Sequence, residues 1–280
     1  MEHKINQSML ELFRQRLIEG EKSNVTLEKY MRDVKAFWKF SETYGYVNKE
    51  VVSAYKEKLT SDYMFSSVNS MLAAVNCFLK EMGWNECIVK ALKVQKEAFR
   101  SPEKDLSKEE YHRLLYAAQK KGNERLYLLM QTLCSTGIRI GELRCITVEA
   151  IYTGRARVRS KGKSRTVLIP VQLCGKLKHY IKKKQINSGS VFVTRNGKPV
   201  DRSNICHEMK ALCELADVPK EKIFPHNLRH LFACTYYALK KDLTHLADLL
   251  GHSNINTTRI YTLVSEEEQV KQIEVLGLVV

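Results

Sequence analysis

The sequence has 280 residues, of which 44% are apolar and 28% are charged, a composition typical of a folded protein long enough for two domains. It contains no apolar stretch of the ~20 residues that a membrane span requires, and its N-terminus lacks the apolar run of a secretory signal, so we expect a cytoplasmic protein. The formal net charge of +15 favours a polyanionic partner such as nucleic acid.

The positive charge is concentrated after residue 100. The first hundred residues carry 16 basic and 13 acidic side chains, whereas the remainder carries 30 and 18. Between Arg155 and Lys184 there are 11 basic residues and no acidic one. Such a run is often only a solvated face, but on a basic protein it favours a nucleic-acid surface. The eight cysteines form no C-x-x-C pair, so we expect reduced thiols rather than disulfides or a zinc site.

The first 97 residues predict a helical bundle. Apolar residues recur at the i, i+3, i+4, i+7 spacing of amphipathic helices in three stretches, and a shorter helix is expected from Lys49 to Leu59. The stretches are marked by Ile5, Met9, Phe13 and Leu17, by Leu27, Tyr30, Met31, Val34, Phe37 and Trp38, and by Val68, Met71, Leu72, Val75, Phe78, Leu79 and Met82. Residues 98–106 are polar, contain a proline and lack periodicity, which predicts an interdomain linker.

The second domain, residues 107–280, is predicted to be mainly α with a small antiparallel β-sheet. A helix begins at the capping-box spacing of Ser107–Glu110, and another is expected from about Arg125 to Cys134. Arginines alternate with apolar residues over 155–159 before a glycine turn, which predicts a hairpin with a basic face. A short strand is expected at 191–193, and helices follow from Asn204 onward.

Three short segments group the residues that could carry chemistry. They are Thr136-Gly137-Ile138-Arg139-Ile140-Gly141-Glu142-Leu143, then Pro225-His226-Asn227-Leu228-Arg229-His230, then Leu249-Leu250-Gly251-His252 with Tyr261 nine residues further on. On a helix His226, Arg229 and His230 share one face, because they are at i, i+3 and i+4. The opposite, buried face is expected to hold Leu228, Leu231, Phe232 and Leu239.

The third segment predicts two consecutive helices. The first ends at Gly251, with His252 just beyond its end. Ser253 or Asn254 is expected to cap the second helix, whose Tyr261 would project away from the apolar stripe. That stripe is Ile255, Ile260, Leu263 and Val264.

Each segment alone has an ordinary structural explanation. An arginine after Thr-Gly is usually a surface residue, and a lone histidine or tyrosine usually serves packing. Histidines at i and i+4 can also share a metal ion, which makes His226, His230 and His252 candidate ligands. Arg229 between the imidazoles would repel a cation, and neither acidic nor thiol ligands are evident nearby. We therefore expect no metal and no cofactor.

Together the segments resemble the tyrosine recombinase (phage integrase) family, especially its compact Xer-like members. The family signature comprises a T-G-[LI]-R-x-x-E-L box, a lysine on a β-hairpin, an H-x-x-R-H box, and L-L-G-H followed by a nucleophilic tyrosine. All occur here in that order. The resemblance covers about residues 107–265 in detail. It implies an N-terminal helical core-binding domain, SAM-like, followed by an α+β catalytic domain, and the N-terminal half matches in size and helical character only.

The resemblance implies a role in DNA strand exchange for each motif residue. Arg139 and Arg229 would bind the scissile phosphate, because guanidinium groups match phosphate geometry, and His252 would donate a further hydrogen bond. His226 would be the base for Tyr261, which attacks phosphorus and forms a 3′-phosphotyrosine bond. That bond conserves the energy of the cleaved one, so neither nucleotide nor metal would be needed.

The hairpin lysine has two candidates. The family commonly reads G-K-G-x-K-x-R here, whereas this chain reads Ser160-Lys161-Gly162-Lys163-Ser164-Arg165, one residue shorter. Lys161 precedes the turn glycine and is the natural match for the acid that protonates the leaving 5′ oxygen, and Lys163 is the alternative. The neighbouring residues Arg157, Arg159 and Arg165 are predicted contacts to the DNA backbone.

Two further residues are expected to support the site. Glu142 would orient Arg139 or a neighbour, and the alternative is an exposed helix acid. His230 would be a supporting phosphate-side or structural histidine.

The resemblance also implies partners. The two domains would clamp duplex DNA at short inverted repeats. We expect no additional arm-binding domain, because the sequence starts almost directly with its first predicted helix. A terminal helix with Val270, Ile273, Val275 and Leu276 would pass to the next protomer, giving a homo-tetramer on two duplexes, with or without accessory proteins. The sequence does not distinguish integration or excision, inversion and dimer resolution as the biological role. The alternatives are a type IB topoisomerase, a non-catalytic DNA-binding protein and a metal-dependent nuclease.

Overall fold

A computed structural model describes residues 2–93, 102–160, 163–252, 254–263 and 266–276. The chain divides into two compact units, Met1–Lys96 and Glu97–Val280, and each has its own apolar core. The first part of the predicted linker, residues 98–101, lies outside the described residues, and its continuation Pro102–Lys104 is a single 3-10 turn. Within the described ranges no helix is long and apolar enough to cross a membrane.

The N-terminal unit is the predicted helical bundle. Asn6, Ser23 and Asn48 each accept a backbone N–H at a helix start, which satisfies a donor that has no partner within the helix. Its described residues form α1 (Gln7–Glu19), α2 (Asn24–Ser41), α3 (Lys49–Asp62) and α4 (Phe65–Glu81). The prediction is confirmed, and α3 extends beyond the expected end at Leu59.

Among the described residues of this bundle, Asp33 is a buried charged side chain. The Asp33 side chain is 4% exposed, and its two carboxylate oxygens lie 2.6 Å from Lys29 Nζ and 3.3 Å from Arg32 Nε. All three residues belong to α2, so a single helix supplies both the buried charge and its counter-charges. The burial of Asp33 is therefore compensated locally.

The second unit opens with the predicted capping box, in which Ser107 and Glu110 accept each other's backbone N–H. Its helices are α5 (Lys108–Lys120), α6 (Glu124–Thr136), α7 (Val148–Thr153), α8 (Val171–Lys184), α9 (Arg202–Lys210), α10 (Cys213–Ala216), α11 (Pro225–Lys240), α12 (Leu243–Leu250) and α13 (Glu266–Glu274). The buried α6 packs against α5, α8, α9 and α11, and α11 also packs against α12. All eight cysteines of the chain are free thiols.

The basic hairpin is confirmed. It consists of β1 (Arg155–Ser160) and β2 (Lys163–Leu168), paired antiparallel. Paired residues share a face, so Val158 and its partner Arg165 lie on the inner side with Val167. The outer face of β1 carries the exposed Arg155, Arg157 and Arg159.

Two expectations about this unit are wrong. Residues 191–193 form a single isolated bridge, from Val193 to Pro199, and Pro199 has no N–H with which to extend a ladder. The apolar run at Val191 and Phe192 is buried without being a strand. Leu239, expected on the buried face of α11, is 76% exposed, because it lies in the last turn of the helix.

Candidate active site

The first motif begins where α6 ends. Gly137 closes the helix in the left-handed region, at φ +62°, and a Cβ there would lie 2.5 Å from the ring of Phe232. Only glycine fits this position, because it avoids both the backbone strain and the clash. The chain then turns directly into Arg139, whose side chain is 39% exposed, at the start of a 3-10 helix over Ile140–Cys145.

The carboxylate of Glu142 joins two arginines. Arg165 donates from Nη1 and Nη2 to the two Glu142 oxygens at 3.0 and 2.8 Å, and Arg139 donates from Nη1 at 3.1 Å and from its backbone N–H at 3.0 Å. Glu142 is 7% exposed. Burial would raise the pKa of this carboxyl, but its bonds to Arg165 and Arg139 outweigh burial and lower the pKa. Glu142 is thus a buried anion, whereas an exposed helix acid was the alternative.

Arg229 is buried on α11 and is 2% exposed. Its Nη1 donates to the Gly137 carbonyl, and its Nη2 donates to the Leu250 carbonyl at 2.8 Å and to His252 Nε2 at 2.9 Å. No carboxylate among the described residues forms an ion pair with it. Burial and then Arg139 lower the pKa of Arg229 to about 10, so the guanidinium is charged at neutral pH. The expectation that this face of α11 points away from the core is wrong for Arg229.

His252 lies just past the end of α12, as predicted. Its Nε2 accepts from Arg229, and its Nδ1 lies 2.9 Å from the hydroxyl of the buried Thr258. Burial and the guanidiniums of Arg229 and Arg139 lower the pKa of His252 to about 4. The imidazole is therefore neutral at physiological pH, and because Nε2 accepts from Arg229, its proton lies on Nδ1 and is donated to the Thr258 hydroxyl.

Tyr261 lies beside these groups and is 4% exposed. Its ring centroid is 5.1 Å from that of His230 and 6.3 Å from that of His252. Burial raises the pKa of the phenol, while the Arg229 guanidinium opposes that rise, so the hydroxyl keeps its proton at neutral pH. Deprotonation for attack therefore needs a base.

The segment that carries Tyr261 differs from the predicted helix. Two 3-10 turns, Ile255–Thr257 and Arg259–Tyr261, replace it, and Asn254 caps the first turn. Ile255 and Ile260 are 45% and 42% exposed, so the tyrosine rather than the apolar stripe faces the protein. The reason is periodicity: a 3-10 turn repeats every three residues, and the predicted stripe assumed 3.6. Of the remaining predicted positions, Ser253 and Val264 lie outside the described residues.

The two histidines of the second motif have different environments. His226 is exposed at the start of α11, and its partial desolvation and the Arg229 guanidinium lower its pKa. It is therefore neutral near pH 7, as a base must be. His230, one turn further on, is more buried and lies 3.1 Å from a carboxylate oxygen of Asp105.

The hairpin residues lie partly outside the described structure. Lys161 is outside the described residues, and so is the side chain of Lys163. Arg157 and Arg159 are exposed on the outer face, where a backbone phosphate can reach them. Arg165 departs from its predicted place as a DNA-backbone contact, because its guanidinium is held by Glu142 on the inner face. Arg165, Val167 and Ile169 are two residues apart in the sequence. The alternation of a strand therefore already predicted that Arg165 lies on the same, inner face as these two apolar residues.

The metal-site alternative receives no support from the geometry. Within the described ranges, one group of three ligand-type side chains is close enough to hold an ion: His3, Glu86 and Cys87 of the N-terminal unit. That group includes none of the three motif histidines. The residues that sequence reasoning missed are Asp105 and Thr258, since neither belongs to a motif.

The charges of the described site do not balance. Of the guanidiniums of Arg139, Arg165 and Arg229, only the first two pair with the Glu142 carboxylate, and Arg229 lies beside a buried tyrosine hydroxyl and the neutral His252 imidazole. A low-dielectric site with surplus guanidinium charge favours an anion with several oxygens. The fold and the site thus define a class of protein in which a tyrosine attacks a phosphoryl group.

Comparison with known proteins identifies the family. A model of the phage integrase family matches residues 104–268. The tyrosine recombinase XerA of Pyrococcus furiosus is 28% identical over 268 residues, covering 92% of this chain and 89% of XerA. The chain therefore belongs to the phage integrase family and is a site-specific tyrosine recombinase.

Solved structures show the same fold. XerH bound to palindromic difH substrate, in a post-cleavage complex, has a TM-score of 0.73 at 19% identity, covering 92% of this chain and 81% of XerH. A lambda integrase tetramer bound to a Holliday junction has a TM-score of 0.71 at 18% identity, covering 91% and 76%. The predicted fold class and family resemblance are confirmed.

Proposed function

We propose that this protein cleaves and rejoins duplex DNA through a 3′-phosphotyrosine bond at Tyr261. One observation carries the proposal: the buried Arg229, without a carboxylate partner in the described structure, lies next to the Tyr261 phenol. A buried charge without a counter-charge is costly, and a scissile phosphate supplies the missing anion. The phenol oxygen attacks phosphorus, the bond to the 5′ oxygen breaks, and the reverse attack by another 5′ hydroxyl restores the phosphodiester.

The neighbouring groups divide the work of this transfer. Arg139 and Arg229 bind the phosphate oxygens and stabilise the charge that spreads over them in the transition state. His226, neutral and exposed, accepts the phenol proton. Lys161 protonates the leaving 5′ oxygen, with Lys163 as the alternative. Glu142 keeps Arg139 in place.

His252 needs one rearrangement to act as a donor. Its Nε2 now accepts from Arg229, so it cannot donate at the same time. When Arg229 Nη2 turns to a phosphate oxygen, the imidazole can change tautomer by exchanging its Nδ1 proton for one on Nε2 through solvent, and Nδ1 then accepts from the Thr258 hydroxyl. His252 then donates from Nε2 to the phosphate.

DNA is the proposed partner of both units. The N-terminal unit would act as the core-binding domain and contribute to site preference, and the second unit would act as the catalytic domain. The exposed Arg157 and Arg159 contact backbone phosphates, so affinity falls steeply with salt. The proposed targets are short inverted repeats, where the enzyme integrates, excises, inverts or resolves DNA in the cytoplasm, with or without accessory proteins.

Assembly into a homo-tetramer on two duplexes is the second part of the proposal. The apolar side chains of α13 and the residues after it are exposed, with Ile273 at 57%, Val275 at 85% and Leu276 at 62%. Exposing these apolar side chains to water is unfavourable, so the segment is suited to packing against a neighbouring protomer. This tail favours a recombinase over a topoisomerase that relaxes DNA alone. Truncation after Ser265 should abolish cooperative assembly on DNA while leaving binding to one site.

The nucleophile can be tested with duplexes that contain the inverted repeats near the gene, nicked near the expected cleavage point so that religation is blocked. Wild type in chelator should form a covalent adduct whose modified peptide contains Tyr261. Tyr261→Phe should bind DNA and form none, and Tyr116→Phe, at an exposed tyrosine, should behave as wild type. An adduct made by Tyr261→Phe, or activity lost in chelator, would overturn the proposal.

A further inference from the structure

Beside the proposed nucleophile lies a carboxylate–imidazole pair that the transfer itself does not use. His230 Nε2 is 3.1 Å from Asp105 Oδ1 and 3.3 Å from Cys234 Sγ. The side chains of His230 and Asp105 are 13% and 16% exposed, so water screens the pair poorly. The ring of His230 lies against the ring of Tyr261, with centroids 5.1 Å apart and planes tilted by 57°.

Asp105 is held at this position by the same helix that it contacts. The preceding residue, Lys104, accepts a hydrogen bond from Asn227 Nδ2 through its carbonyl at 3.0 Å. Asn227 is 5% exposed and uses the same Nδ2 to donate to the Lys222 carbonyl. Two successive residues ahead of α5 are therefore fixed to the first turns of α11, which also carries Arg229.

Tyr261, in contrast, lies on a short segment that is not part of an α-helix. Its 3-10 turn, Arg259–Tyr261, spans three residues, and a turn of this type has poorer hydrogen-bond geometry than an α-helix. The rings of His230 and His252 and the small cluster formed by Ala233, Leu246 and Leu250 surround the phenol. The position of the nucleophile therefore depends on these side-chain contacts.

We propose that the Asp105–His230 pair is a positioning device for Tyr261, in which Asp105 keeps His230 protonated and oriented against the phenol ring. The proposal rests on the proposed function, in which Tyr261 is the nucleophile. A cation beside an aromatic ring is attracted to it, and an imidazole fixed by a carboxylate cannot rotate away. His230 is in this view a positioning residue that holds the phenol next to Arg229.

The charge state of His230 follows from its surroundings. Burial would lower its pKa, but the hydrogen bonds to Asp105 and Cys234 outweigh burial and raise the pKa to about 9. The titratable groups that face His230 are Asp105, Cys234, Tyr261 and, through α11, His226. Because the pKa is raised, the positioning effect is complete below about 6.5, the ordinary histidine value, and is lost as pH rises through about 9.

The experiment is a pH profile of single-turnover adduct formation on the nicked duplex, for wild type, Asp105→Asn and Asp248→Asn. Asp248 is an exposed carboxylate on α12, so its variant removes the same charge elsewhere in the unit. Wild type and Asp248→Asn should lose rate near pH 9. In Asp105→Asn the loss should move down toward pH 6.5, giving on the order of tenfold lower rate at pH 8 and near-normal rate at pH 6. Asp105→Glu should restore the wild-type profile.

A second measurement does not depend on DNA cleavage. In free protein with ¹³C-labelled tyrosine and histidine rings, the Tyr261 signals, assigned with Tyr261→Phe, should shift together with the titration of His230. The midpoint should be near pH 9 in wild type and lower in Asp105→Asn. A His230 that titrates below pH 7 in wild type would overturn the proposal, as would an Asp105→Asn rate profile with the wild-type shape. An adduct made by Tyr261→Phe would instead refute the assignment of Tyr261 as the nucleophile. The ring titration would still show whether His230 positions the phenol, because it does not depend on DNA cleavage.

Discussion

Among the described residues, Asp33 in the N-terminal unit and Arg229 in the second unit are both buried charged side chains, and their surroundings differ. In the N-terminal unit, Asp33 lies between Lys29 and Arg32 of its own helix. In the second unit, Arg229 is just as buried, but its described partners are two carbonyls and a neutral imidazole. The first charge is neutralised by the fold, whereas the second is solvated by dipoles that leave its net charge in place. We interpret the first as structural and the second as a binding site for an external anion.

The largest effect should come from removing the second charge. Arg229→Met keeps much of the side-chain volume and removes the guanidinium, so adduct formation should fall about a thousandfold or more. The midpoint temperature of thermal unfolding should change little. The variant loses the hydrogen bonds of the guanidinium, but it also no longer buries a charge without a counter-charge. Single-turnover kinetics and melting curves on the same samples check both results.

Asp33→Asn is the matched change in the other unit. It should lower the free energy of unfolding by about 1–3 kcal/mol, since Lys29 and Arg32 lose their buried partner. The adduct rate per folded molecule should stay unchanged. If Asp33→Asn lost as much adduct rate as Arg229→Met, the distinction between a structural buried charge and an anion-binding one would be wrong.

Glu142→Gln should have the next largest effect. The amide keeps the shape but loses the charge that joins Arg139 and Arg165, so the two guanidiniums repel each other without a counter-ion. We expect a loss of about tenfold to a hundredfold in adduct formation, with DNA affinity nearly unchanged. Because the pKa of Glu142 is lowered, its contribution in wild type is present at neutral pH and lost only as pH falls through that lowered value. An unchanged rate in Glu142→Gln would show that it positions neither arginine.

Two glycines allow the packing around Arg165 to be tested separately from the cost of a positive φ. Gly251 has φ +64°, and a Cβ there would lie 2.6 Å from Arg165 Cδ, whereas Gly189 has φ +74° and nothing within 4 Å of the added atom. Replacement by alanine costs about 1 kcal/mol at either position from the backbone alone. Gly251→Ala should additionally displace Arg165 and lower the adduct rate several-fold, while Gly189→Ala should not. Equal adduct rates in the two variants would show that displacing Arg165 does not affect the reaction.

The smallest effect is expected on the outer face of the hairpin. Arg157→Gln and Arg159→Gln should each reduce the slope of log affinity against log salt by about one, because each removes one phosphate contact. The rate at saturating protein should not change. A rate loss without a change in slope would place these side chains in the catalytic step instead.

Much of the second unit could be predicted from the sequence, because its signals are local. The capping box at Ser107, the hairpin and the helix that carries His226 and Arg229 depend on short-range spacing and turn chemistry, and all are present. The family motifs added the candidate residues. The inner position of Arg165 could also be predicted, since a strand places it on the same face as Val167, two residues further on.

The remainder depends on tertiary packing, which one-dimensional patterns do not record. The burial of Tyr261 arises from 3-10 turns where apolar spacing indicated an α-helix. The Asp105–His230 contact joins residues 125 positions apart in the sequence and belongs to no motif. Burial of Arg229 contradicts the usual exposure of arginine, which is the kind of exception that functional sites produce.

The central claim is that surplus guanidinium charge binds the scissile phosphate, and its most direct test removes the charge from the DNA. Wild type, Arg139→Ala and the control Arg144→Ala, at an exposed arginine nearby, would be compared on nicked duplexes with a scissile phosphate or a neutral methylphosphonate. Arg139 is the better position because its side chain is 39% exposed and its loss disturbs packing less than that of Arg229. We predict that Arg139→Ala loses about a hundredfold in adduct rate on the phosphate and far less on the methylphosphonate, which carries no charge to stabilise. An equal loss on both substrates would contradict the account.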